Sequence, residues 1–179
     1  MLVGISINND NLETVSTMTY GGTPLTREGF VDHQGWGGDD ARVEIWKLVG
    51  PPTGTHDVLI TFSADLKRYA VGGVITLTGV DPIDPLGAFV GDYATSSSAS
   101  LTVPSVSGEL VLGVFACEKC NSVVFTSPVV EQWQLSEGDG NTVGAGGMDE
   151  GAGSQVTLGA TLGERAHWAL GGISIRPGP

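Results

Sequence analysis

The chain is short of positive charge. Eight Lys and Arg stand against twenty Asp and Glu, a formal net charge of −12 over 179 residues. Nucleic acid and anionic lipid carry the same sign and are repelled by such a surface, so neither is expected as a partner. Also missing is an apolar run of the about 18–20 residues that a membrane helix needs, so no membrane insertion is expected. No basic segment, apolar stretch and small-residue cleavage site open the chain, because Met1-Leu2-Val3-Gly4 enters a strand pattern at once. That leaves two readings, a cytosolic protein or a mature or excised piece of something longer. Nothing repeats with a helical period. Cysteine is reduced to two residues, Cys117 and Cys120.

Glycine is plentiful, at 28 residues, and the strand-like segments are built from Val, Leu, Ile, Ser and Thr. That is the composition of many short strands joined by tight turns. The length suits one sizeable domain with one core, read as residues 1–179.

Residues 39–63 set the grammar. Val43 and Ile45 point one way, and Arg42, Glu44 and Trp46 the other. Gly50-Pro51-Pro52-Thr53-Gly54 then turns the chain, since proline fixes φ and glycine permits positive φ. Val58, Ile60 and Phe62 alternate with polar or outward positions, the period of a sheet with one buried face. The stretch reads as a hairpin. Further strands are read over 2–8, 14–20, 69–80, 89–95, 98–103, 109–116, 123–126, 129–135, 155–162 and 167–176, residues 24–31 as a short extended piece, and residues 137–153 as a long loop or weak hairpin. Gly72-Gly73 inside a strand signals a bulge or a close approach. Tyr69-Ala70-Val71-Gly72-Gly73-Val74 is echoed by Trp168-Ala169-Leu170-Gly171-Gly172-Ile173. The spacing of about a hundred residues is too long for a solenoid repeat, so two comparable core strands are expected. The fold class expected is all-β, a two-sheet antiparallel β-sandwich of jelly-roll or lectin-like type, with about 10–11 strands and no significant helix.

The succession LVGISI, VSTMTYGGTPLT, DDARVEIWKLVGPPTGTHDVLITF, GVITLTGVDPIDPLG and HWALGGISIRP resembles a β-sandwich domain widespread in bacterial secreted and surface proteins and in some phage structural proteins. The likeness covers most of the chain and is weakest over 117–153. It implies an extracellular or cell-surface structural or recognition module without catalytic residues. Members of that family carry a further strand upstream of the segment that looks like Leu2-Val3-Gly4-Ile5, so the sandwich is expected to lack one strand and to expose an edge there. The leading expectation is a non-enzymatic subunit of a surface filament, adhesin or virion appendage, a homo-oligomer assembled through sheet edges. The alternative is a carbohydrate-binding module with a glycan as partner, calcium-dependent in one form.

The candidate site residues follow from chemistry. His33, Gln34 and Trp36 share one polar loop, and a Trp among hydrogen-bonding side chains is a usual sugar platform; the competing reading folds that loop back on the sandwich. Asp39, Asp40 and Asp139 lie in acidic, glycine-containing turns whose oxygens suit Ca²⁺. No EF-hand loop or glycine-aspartate repeat is present, so solvated acidic turns are the competing reading, and no obligatory cofactor is expected. A zinc site needs about four ligands, and the three histidines lie far apart in sequence. Twenty acids make some facing carboxylate pair inevitable, and no G-x-S-x-G elbow occurs, so no enzyme is expected. Cys117 and Cys120 lack the helix that a redox C-x-x-C requires. In the oxidising compartment that the resemblance implies they would be bonded to each other, with two free thiols as the alternative. Alkylation of the native protein without reductant is expected to leave the intact mass unchanged; a gain of two alkyl groups is the contrary result.

Overall fold

The computed structural model describes residues 1–8, 13–34, 40–138 and 142–179. Among them the chain is all-β, with thirteen strands and no helix. They are β1 (Leu2–Asn8), β2 (Val15–Tyr20), β3 (Thr23–Pro24), β4 (Thr26–His33), β5 (Ala41–Lys47), β6 (Val58–Phe62), β7 (Ala70–Ile75), β8 (Val90–Pro104), β9 (Leu110–Glu118), β10 (Val123–Phe125), β11 (Val130–Glu137), β12 (Thr142–Glu150) and β13 (Gln155–Ile175). The pairing is antiparallel and gives three sheets rather than the expected two. The first has the order β4-β5-β1-β7, the second β3-β2-β6, and the third β10-β13-β9-β12-β11 with β8 paired to β13.

The first sheet is a middle layer. Val3, Ile5 and Ile7 of β1 face Val15, Met18 and the inward residues of β6 in the second sheet. On the opposite face Leu2, Val43 and Ile45 meet Leu112, Val114, Ala169 and Ile173 of the third sheet. Each such aliphatic side chain contributes about 1.5–3 kcal/mol by leaving water. Both faces of β1 and β5 are therefore buried. The alternation of Val43 and Ile45 against Arg42, Glu44 and Trp46 is present, but the charged face is covered too. Glu44 is wholly enclosed, accepting from Arg42 Nε at 2.7 Å, Trp46 Nε1 at 2.9 Å and the Val15 amide at 3.1 Å.

Three segments depart from the sequence reading. Residues 39–63 are not a hairpin: β5 pairs with β1 and β4, while β6 crosses to the second sheet and pairs with β2. The turn between them is where it was expected, with Gly50 at φ +59° and Gly54 at +102°. β1 lies between β5 and β7 and is no edge, so the exposed N-terminal edge is not found. Residues 142–150, part of the 137–153 stretch read as a long loop or weak hairpin, form β12 inside the third sheet, paired antiparallel with β11 and β9. Their glycines hid the strand because large neighbours fill the space that side chains would take.

Trp133 shows how. Its indole lies over Gly146, its cross-strand partner, and reaches Gly4 and Gly73, which are partners in the first sheet. The close approach at Gly73 is thus made by a side chain, and β7 runs in unbroken register with β1. A second glycine pair, Gly113 and Gly172, receives Leu158. Leu158 and Gly172 belong to the same strand, so β13 bends back over itself. The two segments read as 155–162 and 167–176 are one strand, and β8 likewise joins 89–95 to 98–103. Four residues of β13, 162–165, stand against Ser97 of β8 at the bend. This irregularity kinks the pair and closes the third sheet around its own core of Phe115, Leu158, Trp168 and Leu170.

Gly73→Ala would drive a methyl group into the Trp133 ring. It is expected to lower unfolding stability by about 1–3 kcal/mol. Trp133→Leu made in the same chain should recover part of that loss in a double-mutant cycle by chemical denaturation, whereas additive effects would refute the contact.

Candidate functional site

The interface between the first and third sheets is apolar through most of its length and polar at one rim. Ser6 marks the change, its Oγ donating to the Phe115 carbonyl at 2.7 Å. Beyond it come Asn8, His33 and Glu118, all buried. His33 is the last residue of β4, in phase with Val31, which packs into the interlayer core. His167 stands in β13 directly after the 162–165 irregularity, in phase with Ala169 and Ile173. Its cross-strand partners are Thr95 on β8 and Glu118 on β9. Opposed residues of an antiparallel pair share a face, so His167, Thr95 and Glu118 all look toward the first sheet.

The bend in the third sheet thereby delivers His167 to His33, 134 residues away in sequence. Nε2 of His33 lies 3.4 Å from Nδ1 of His167. The Thr95 hydroxyl sits between them, 2.9 Å from His167 Nδ1 and 3.3 Å from His33 Nε2. The Tyr93 ring meets the His33 ring edge-on at 5.3 Å. Burial first, and His167 second, hold His33 below its ordinary pKa of 6.5, against opposing pulls from Asp40 and its own main chain. Arg68 Nη1 approaches Glu118 Oε1 at 3.7 Å and screens the carboxylate at this rim.

The proposed ligand-binding set is thus divided. His33 is 8% exposed with its ring turned inward, Gln34 beside it is exposed, and Trp36 lies outside the described residues. Of the proposed metal-binding carboxylates, Asp40 is buried close to His33, and Asp39 and Asp139 lie outside the described residues. Among the described residues no group of three or more His, Cys, Asp or Glu gathers to hold an ion. Sequence reasoning passed over His167 and Thr95. The available signal was phase: His167 occupies an inward position of its strand, where a polar side chain must find a partner. Cys117 and Cys120 are bonded to each other, with Cα atoms 6.0 Å apart, and both are buried in the core of the third sheet. Lys119 and Asn121 in this turn take left-handed φ of 56° and 62°.

No protein-family model, curated protein or solved structure matches the chain.

Below pH 6.5 the unfolded chain protonates His33 while the native state, with its depressed pKa, still holds it neutral. Stability then falls with falling pH across that window, by at most about 1.4 kcal/mol per pH unit, and is unaffected by this group above it. The melting temperature is expected to drop from about pH 7.5 to about pH 5 more steeply in the wild type than in His33→Gln. Parallel profiles would refute this assignment.

Proposed function

We propose that this chain is a non-enzymatic structural and interaction module of the cell exterior or a virion surface, which assembles through strand edges. The observation that carries the reading is β8. It is fifteen residues long and, among the described residues, pairs on one side alone, with β13. Its free edge displays a row of main-chain donors and acceptors ready for another strand. Proteins that stay monomeric protect such edges with lysine, proline or short strand length. From Val90 to Val103 β8 has no Lys, Arg or Pro, and Asp92 is its one charged residue. Exposed Ser98, Ser100 and Thr102 make the edge soluble without blocking it.

This replaces the N-terminal edge as the assembly surface, since β1 is paired on both sides. A contact between β8 and a different edge of the next copy would not close on itself and would extend into a filament. The sequence resemblance to a bacterial surface domain points the same way. The glycan-binding alternative draws support from one feature, an open groove of about 740 Å³ beside the same strand. Ser98, Ser100, Thr126, Thr157, Asp149 and Glu150 line it with hydroxyls and carboxylates.

Light scattering of the purified wild type is expected to show concentration-dependent oligomers. Ser100→Lys with Thr102→Lys is expected to return them to monomers while leaving the melting temperature nearly unchanged. A wild type that stays monomeric at high concentration would refute assembly and leave the glycan module as the better reading.

A further inference from the structure

The geometry points to a binding site for a single divalent transition-metal ion at the rim between the first and third sheets, with Nε2 of His33 and Nδ1 of His167 as its protein nitrogen ligands and Thr95 Oγ1 as a third, weaker donor. The three atoms form a triangle with sides of 3.4, 3.3 and 2.9 Å. Two nitrogens bound to one zinc ion at about 2.0–2.1 Å in tetrahedral geometry stand about 3.3–3.4 Å apart. A point about 2.1 Å from all three corners lies about 1 Å off the plane of the triangle. The donors are thus already at ligand spacing, and water would complete the coordination.

The electrons argue in the same direction. When both facing nitrogens present lone pairs, three electron-rich atoms share the one hydrogen of the Thr95 hydroxyl. A positive centre among them relieves that repulsion. Asp40 adds negative charge nearby, and Tyr93 packs against the His33 ring and fixes its plane. Imidazole donors suit Zn²⁺, Ni²⁺ and Cu²⁺, whereas Ca²⁺ prefers carboxylate and carbonyl oxygens. The site is therefore distinct in chemistry from the calcium loops that composition suggested.

The three ligands come from β4, β13 and β8, so the ion would tie the first sheet to the third. It would do so beside the N-terminal half of β8, and its occupancy does not depend on assembly. An ion that binds the folded state alone raises the melting temperature by mass action.

Isothermal titration of the full chain at neutral pH with Zn²⁺ and with Ca²⁺ tests the proposal. One equivalent of Zn²⁺ is expected to bind and to raise the melting temperature, at a site for which Ca²⁺ does not compete. His33→Gln and His167→Gln should each weaken binding by at least about tenfold. His56→Gln, at the exposed third histidine, should leave it unchanged. A second measurement needs no variant: in long-range ¹H–¹⁵N spectra of the wild type, Zn²⁺ should shift Nε2 of His33 and Nδ1 of His167 and leave His56 in place. Absence of saturable Zn²⁺ binding overturns the site. So does binding that survives both His33→Gln and His167→Gln, or Zn²⁺-induced shifts confined to His56.

Discussion

Glu44 is completely enclosed in the middle of the molecule, and the layers on either side depend on how its charge is held. The first sheet is covered on both faces, so every side chain of β5 but the last is buried whichever way it points. A lone carboxylate in that place would be far too costly to keep ionised. Here its oxygens receive the Arg42 guanidinium, the Trp46 indole N–H and the Val15 amide. Arg42 in turn binds Asp32 at 2.8 Å and lies over the Phe30 ring at 4.1 Å. The Val15 amide belongs to β2, so the network also locks the second sheet onto the first. Removing one partner from such a cluster costs about 3–5 kcal/mol, because the other charge stays buried. Such a network also specifies register, since a shift of one residue would place Arg42 and Glu44 against the aliphatic third sheet.

Packing on the opposite face uses holes. Paired Gly4 and Gly73 admit Trp133 to the level of the backbone there, and paired Gly113 and Gly172 admit Leu158 inside the third sheet's own core. Sheets can then approach closely without small side chains on both sides. The same device allows β13 to fold back on itself, and the 162–165 irregularity that makes the fold-back places His167 at the rim. The geometry of the candidate site therefore follows from sheet curvature rather than from any local motif.

Two parts of the surface carry the functional reading, and they meet on β8. Its free edge offers main-chain pairing to another strand, and its Thr95 stands between two histidines from different sheets. The edge is polar and open. The histidine rim is half-buried, and its chemistry is that of nitrogen donors in a partly desolvated setting. Neither resembles a carboxylate loop, which is where composition alone had directed attention.

Local pattern in the sequence was enough for the fold class. Alternation at Val58, Ile60 and Phe62, and glycine and proline at 50–54, demanded strands and a turn, because side-chain direction and φ are decided within a few residues. It was not enough for partners. The hairpin expected over 39–63 fails because β5 needs two apolar neighbours, and the choice between β1 and β6 is made by which face each can cover. β12 was legible only as a long loop or weak hairpin because Gly144, Gly146 and Gly147 have low strand propensity and owe their place to Val71, Trp133 and Phe125 from other strands. His33 was legible as a candidate; His167 and Thr95 were not, since a contact across 134 residues leaves no trace in spacing. The sequence by itself determined that the chain is built of strands and which way its alternating segments face. Only the tertiary structure decided which faces are covered, where Glu44 finds its donors and where two histidines meet, because burial and close contact belong to the packing of distant strands.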